Sequence, residues 1–375
     1  MVSSKAQKTM QRLLNSLVAE GRERGLQLAV YLDGRLVVDA WAGVADAATR
    51  RPVDGDTLFP VLSAGKGVAA TIMHRLVERG LLGYETPIAE VWPEFAARGK
   101  GGITVRHVLG HTAGLYNLPV GLGPADLNDW PRMCAVMADQ TPVAPPGAAV
   151  VYHGVTYSWL VGETACRAAG RTFEQLLEEE IRRPLGVSDL YIGIPDEVEP
   201  RIAILAGSLG APVIDTPAID TPTIDDSVPQ ACPGWIHPFS TWVNRPDVLR
   251  ACLPSSSAVM TARVLARHYA ALLPGGVDGV ELLPPGRVRA AIAPQRPTVA
   301  PSDEVTRRMR LGYMSGESLD TPPRAAAFGH PGYGGSTGFA DLDGRLAVGL
   351  AKNLFSKAGA TAVIIQQLRE TLGMP

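Results

Sequence analysis

The sequence predicts an α/β (α+β) fold: an antiparallel sheet built from both ends of the chain and flanked by helices, with a mainly helical lobe inserted between its halves. Three observations predict it. Asp33-Gly34 separates the strand-like stretches LQLAVYL and RLVVDAWAG, and Asp343-Gly344 separates GFADL and RLAVGLAKN. An Asp-Gly pair between β-prone runs favours a tight hairpin turn. A helical apolar pattern (Met10, Leu13, Leu14, Leu17) precedes the first hairpin, and a second, TAVIIQQLRETLG, follows the other. The stretch between them is richer in helical patterns and proline-marked loops.

These elements divide the 375 residues into two lobes. Residues 1–83 and 296–375 form the α/β lobe, and 84–295 form the helical lobe with an irregular loop at 207–232. Within that loop, VIDTPAIDTPTIDDS nearly repeats every five residues, and its prolines and short polar residues argue against regular structure. It reads as a solvated linker, with a flap over a site mouth as the functional alternative.

A composition of 46% hydrophobic and 19% charged residues is that of a soluble globular protein. The net charge of −2 points to neither nucleic acid nor an anionic membrane surface. No apolar run reaches the roughly 18 residues needed to span a bilayer. The first 21 residues show neither an apolar h-region nor a small-residue cleavage site, so a cytoplasmic location is expected. Cys134, Cys166, Cys232 and Cys252 are widely spaced, without a CxxC, and read as free thiols.

Ser63-Ala64-Gly65-Lys66 is an S-x-x-K match. The chain has few lysines among its 35 basic residues, and Lys66 is the one with a serine three positions before it. Lysine can lose its proton when desolvated, which arginine cannot. A helical pattern with Val68, Ile72 and Leu76 begins here. It places the serine hydroxyl near a positive dipole end and the lysine on the same face. The apolar surroundings would depress the lysine pKa. A plain N-cap serine beside a solvated lysine is the competing structural reading.

The chain resembles class C β-lactamases, the carboxylesterases related to them and β-lactamase-like acyltransferases, over about residues 25 to 372. The resemblance rests on tracts in family order. After S-x-x-K come VWPEFAARGKGGITVRHVLGHTAGL at 91–115, Pro146-Gly147 and Tyr152 in PPGAAVVYHGVTYSWLVGE, TFEQLLEEEIRRPLG at 172–186, and His330-Pro331-Gly332 in FGHPGYGGSTGFADLDG. It implies a β-lactamase/transpeptidase-like fold and catalysis by Ser63 as nucleophile, with Lys66 and Tyr152 sharing the general-base work. It further implies an oxyanion hole from the backbone N–H groups of Ser63 and Tyr333, with Gly332, His330 and His153 bordering the substrate. No cofactor is implied.

Two positions depart from the β-lactamase pattern. Gly154 stands where Tyr-x-Asn has asparagine, and His330 stands where Lys-Thr-Gly has lysine. The first removes an amide that would hold a substrate amide. The second removes a fixed charge for a β-lactam carboxylate, since neutral histidine supplies much less at pH 7. Ester or thioester donors are therefore expected, with water or a small-molecule acceptor. The simplest activity is that of a carboxylesterase. The alternative is a transacylase of specialised or antibiotic natural-product biosynthesis. A true β-lactamase and a non-catalytic binding protein rank below both.

Other signals are weaker. Gly334-Gly335-Ser336-Thr337-Gly338 fits G-x-S-x-G, but a strand-like hairpin follows where a nucleophile elbow needs a helix. His107 and His111 are four apart without the glutamate of a zinc protease, and no metal is expected. Trp235, Trp242, Tyr191 and Tyr313 read as core rather than site. The residues leave the acyl group, the acceptor and the oligomeric state open.

Overall fold

The computed structural model describes residues 4–207, 230–301, 303–355 and 359–374. Most of the predicted irregular loop, including 213–227, lies outside the described residues.

Helix α1 (Ser4–Ala19) leads into strands β1 (Gly25–Leu32) and β2 (Arg35–Asp46), joined at the predicted Asp33-Gly34 turn. Short strands β3 (Arg51–Pro52) and β4 (Phe59–Pro60) precede helix α2 (Lys66–Glu78). In the middle of the chain lie helix α3 (Tyr157–Ala169), strands β5 (Leu190–Ile192) and β6 (Ala258–Met260), and helix α4 (Ala262–Ala270). The chain closes with β7 (Met314–Ser315), β8 (Ala327–Pro331), β9 (Thr337–Asp341), β10 (Leu346–Lys352) and helix α5 (Ala360–Leu372).

Seven strands form one sheet in the order β3-β2-β1-β10-β9-β8-β7. Strands β1 and β10 pair antiparallel from Leu26↔Lys352 to Leu32↔Leu346, so the two ends of the chain meet at the sheet centre, as predicted. Strict alternation sorts the side chains. Leu28, Val30, Val348 and Leu350 join Met10, Leu14 and Leu17 of α1 and Ile364 and Leu368 of α5 in one core. The opposite face is floored by small residues, Ala29, Ala347 and Ala351, in a second core shared with Leu265 and Tyr269 of α4.

Helix α4 lies very close to that floor. A Cβ on Gly349 would stand 2.2 Å from the Ala262 carbonyl oxygen and 2.6 Å from the Ala266 nitrogen. This helix falls inside the span predicted for the inserted lobe, yet it packs on β1 and β10. Conversely, α2, allotted to the α/β lobe, packs on α3. Periodicity shows that a helix has an apolar face but not which surface covers it.

Helix α2 is buried at nearly every position from Lys66 to Val77, as expected of a helix enclosed on all sides. Its last turn is anchored by Arg75 and Arg79 on the buried carboxylate of Glu180, with Arg75 Nε 2.8 Å from Glu180 Oε2. A three-stranded sheet, β4-β6-β5, joins distant segments just ahead of α2.

Gly349→Ala should push α4 off its floor. The expected cost is about 1–3 kcal/mol, the usual range for overpacking a close-packed interior. Urea denaturation monitored by circular dichroism checks it.

Candidate active site

The turn that carries Ser63 is set by its neighbours before α2 begins. The Val61 N–H donates to the Ala258 carbonyl at 2.9 Å, pinning the turn to β6. Leu62 then adopts φ 52°, in the left-handed region that a branched side chain avoids. Its side chain is buried, and such strain persists where surrounding contacts over-determine the backbone. Gly65 passes so near β6 that a Cβ would lie 2.3 Å from that of Ala258. Ser63 ends half-buried in a 3₁₀ turn, one turn ahead of Lys66 at the first position of α2.

Lys66 is fully buried. Its Nζ lies 3.1 Å from Ser63 Oγ and donates to the Ser255 carbonyl at 2.8 Å. It also sits 4.9 Å from the ring centre of Tyr152 and 5.8 Å from that of Tyr157. Burial therefore dominates, and the ammonium pKa is drawn down to about 7. Ser255, which the sequence reading missed, is held in turn by Ser158 on α3. The Ser255 N–H donates to Ser158 Oγ at 3.0 Å, and Ser158 Oγ donates to Ser255 Oγ at 2.6 Å.

Burial holds the Tyr152 phenol well above its ordinary pKa, and the neighbouring Ser63 hydroxyl offsets only part of that rise. Tyr152 is presented by an extended segment fastened to His111. The Val151 N–H donates to the His111 carbonyl at 2.9 Å, and the His153 N–H donates to His111 Nδ1 at 3.1 Å. His111 itself adopts φ 59° and its ring lies 5.1 Å from that of Tyr152. It thus positions Tyr152. His107 accepts the Thr104 N–H at its Nδ1 at 3.1 Å, capping its own short helix.

His153 corrects the sequence reading. Its Nδ1 donates to the Val151 carbonyl at 2.6 Å and its Nε2 accepts the Leu115 N–H at 3.3 Å. Both ring nitrogens are consumed by backbone, so the imidazole is a structural brace and not a substrate contact. Beside it, a Cβ on Gly154 would stand 3.5 Å from Cys232 Sγ. The thiol borders the space that a longer side chain at 154 would enter.

The other wall is the end of β8. Gly332 is required by close approach, since a Cβ there would lie 2.2 Å from the Val61 carbonyl oxygen. The Gly332 N–H donates to the Ser336 carbonyl at 2.7 Å and the Gly335 N–H to the Gly332 carbonyl at 3.1 Å, closing a tight turn. Among the described residues, neither the Ser63 nor the Tyr333 N–H donates to a backbone carbonyl. These are the two donors the sequence reading assigned to an oxyanion. The Tyr333 side chain is 55% exposed and packs with Phe239 and Phe355, ring centres 5.2 and 5.5 Å away.

His330 is buried, with Nδ1 donating to the Pro331 carbonyl at 2.8 Å. That bond fixes the tautomer and leaves Nε2 as an acceptor. Burial, assisted by the charge of Lys66, pushes the imidazole pKa down to about 3, so it is neutral. Its ring centre is 6.2 Å from that of Tyr152. Ser336 of the G-x-S-x-G match is buried, accepts the Lys352 N–H at 3.2 Å, and is followed by β9 rather than a helix. Tyr313 is interior, its hydroxyl 2.7 Å from Thr71 Oγ1, and Trp242 is buried. Trp235 lines a hollow of about 290 Å³ with Leu118, Leu122 and Pro233.

The chain belongs to the β-lactamase family, whose family model, described as Beta-lactamase, matches residues 10–372. It is 35% identical over 355 residues to the esterase/beta-lactamase LipL of Mycobacterium tuberculosis, covering 91% of this chain and 80% of that one. Among solved structures, it superposes on a penicillin-binding protein homologue from Caulobacter crescentus with a TM-score of 0.82 and 32% identity, covering 99% of each chain. A family VIII carboxylesterase gives a TM-score of 0.84 and 29% identity, again covering 99% of each chain. The fold expected from the resemblance is thereby established, as is membership of a family of serine hydrolases and esterases.

Gly332→Ala should force β8 away from the turn that carries Ser63. The expected loss in ester kcat/KM is about 10²-fold, the lower end of the cost of removing one oxyanion donor. Steady-state kinetics, with circular dichroism to show a retained fold, checks it.

Proposed function

We propose that the chain is a carboxylesterase that works through an acyl-enzyme on Ser63. One observation carries the reading. The fully buried Lys66 Nζ stands 3.1 Å from Ser63 Oγ, and burial brings its pKa to about 7. A lysine in this state is half deprotonated at neutral pH and can take the serine proton.

The steps follow from the groups present. Lys66 removes the Ser63 proton as Oγ bonds to the ester carbonyl carbon. The carbonyl π pair moves onto oxygen, where the Ser63 and Tyr333 N–H groups receive it. The C–O bond to the leaving alcohol then breaks. Tyr152 supplies a proton to the departing oxygen, and Lys66 returns one to Tyr152. Water repeats the sequence on the acyl-enzyme and releases the acid. Tyr152 acts here as a proton donor and relay, because its phenol is held neutral.

The site walls favour uncharged esters. His330 is neutral, and Gly154 offers no amide, so neither position supplies the group suited to a β-lactam. The name of the LipL relative joins both activities, so a cephalosporin belongs in the test.

Wild-type protein should release nitrophenol from p-nitrophenyl butyrate and gain an acyl mass in intact-mass spectrometry, while Ser63→Ala does neither. Equal behaviour of the two would overturn the reading. Below pH 7, kcat/KM should rise with pH as Lys66 loses its proton, and it should level off above. Lys66→Arg, which cannot deprotonate, should lose about 10²–10⁴-fold, the usual contribution of general-base catalysis. Nitrocefin should turn over far more slowly than the ester. Added alcohols or amines that accelerate nitrophenol release, with a new ester or amide formed, would reassign the enzyme as a transacylase.

A further inference from the structure

The glycine turn that carries the Tyr333 N–H rests on an ion pair buried beneath it. Lys352, the last residue of β10, pairs its Nζ with Glu23, which lies between α1 and β1. The two side chains are 2% and 0% exposed. Gly335 of the turn has φ 103°, and a Cβ there would lie 3.2 Å from Lys352 Cδ and 3.3 Å from Lys352 Nζ. The same side of the turn is tied twice more. Lys352 N–H donates to Ser336 Oγ at 3.2 Å, and Thr361 Oγ1 donates to the Gly335 carbonyl at 2.8 Å.

Stability alone does not account for a buried charge pair here. An apolar pair of similar volume would commonly serve as well or better, because both ions lose their hydration. A charged pair has a directional geometry that an apolar one lacks. This one joins the two chain ends directly under residues 332–336, whose upper side touches the Val61 carbonyl of the nucleophile turn.

We propose that the Lys352–Glu23 pair is the support that holds the oxyanion turn in register with Ser63, which makes both positioning residues for the reaction. The inference rests on the acyl-enzyme reading. A displaced turn misaims the Tyr333 N–H at the position the oxyanion takes, while the ground-state ester still binds. The effect therefore falls on kcat more than on KM.

The test compares wild type, Lys352→Met, the double variant Glu23→Gln/Lys352→Met, and Glu180→Gln. The last breaks a buried pair at the far end of α2. Lys352→Met alone leaves a buried carboxylate without its partner and is the variant at risk of unfolding. The double variant leaves no charge and decides. The double variant should lose at least about tenfold in kcat for p-nitrophenyl butyrate, with KM changed less than about threefold. Inhibition by phenylboronic acid, a tetrahedral mimic, should weaken in step with kcat, and Glu180→Gln should keep the wild-type kcat. A double variant with kcat within about twofold of wild type, or with unchanged phenylboronic acid inhibition, overturns the proposal. Ser63→Ala separates the two levels. If it is inactive while the double variant keeps its kcat, only this inference falls. If it hydrolyses the ester like wild type, the acyl-enzyme reading falls first.

Discussion

Lys66, buried with no carboxylate partner among the described residues, is the constraint on which the site depends. Removing an ammonium from water is expensive, and a protein usually answers with a counter-ion or by surrendering the proton. Here burial draws the pKa down to about 7, so the proton is readily given up near neutral pH. Among the described residues, the Ser255 carbonyl and the Ser63 hydroxyl lie within hydrogen-bond reach of Nζ. A carboxylate in place of Ser255 would hold Lys66 charged and useless as a base at neutral pH. The surrounding architecture encloses the amine. Helix α2 is enclosed on nearly every side, and α3 brings Tyr157 and Ser158 to one flank while β8 brings His330 to another.

That enclosure explains why the site is assembled from so many separate segments. Val61 is pinned by β6, Tyr152 by His111, and Gly332 by contact with Val61. Each attachment is a backbone hydrogen bond or a glycine-sized clearance, and neither tolerates slack. The left-handed conformations of Leu62 and His111 sit at two of these attachments. Strain of this kind, of order 1–3 kcal/mol per residue, is tolerated where the local shape matters more than the local energy.

Much of this was legible before any coordinates. The two Asp-Gly hairpins, the pairing of chain ends and the terminal helices follow from local pattern, because turn chemistry and apolar period act over a few residues. The S-x-x-K spacing was legible for the same reason. What escaped is tertiary. Helix α4 carries an ordinary apolar face, and its true partner is chosen by Gly338 and Gly349, far away on β9 and β10. His153 adjoins Tyr152 and was assigned to the substrate side, but neighbours in an extended segment point to opposite faces. Ser255 contributes a main-chain carbonyl, which no side-chain motif announces. His111 stood out only as half of a spaced histidine pair, and its hold on Tyr152 depends on a left-handed backbone that only the three-dimensional structure displays.

The remaining feature is the charge state of the site as a whole. The site's ionisable groups, Lys66, Tyr152 and His330, are shifted by burial towards their neutral forms. Family members with a lysine at the position of His330 place a second cation near the tyrosine, which favours a phenolate. Replacing that cation by an imidazole whose Nδ1 is committed to Pro331 removes the driving force for the phenolate. In the proposed mechanism the proton-accepting duty then falls on Lys66, and Tyr152 is left to donate. The same exchange removes from position 330 the fixed charge that would attract a carboxylate. On the proposed mechanism, one substitution thus bears both on the division of labour among the catalytic groups and on the class of substrate that the walls favour.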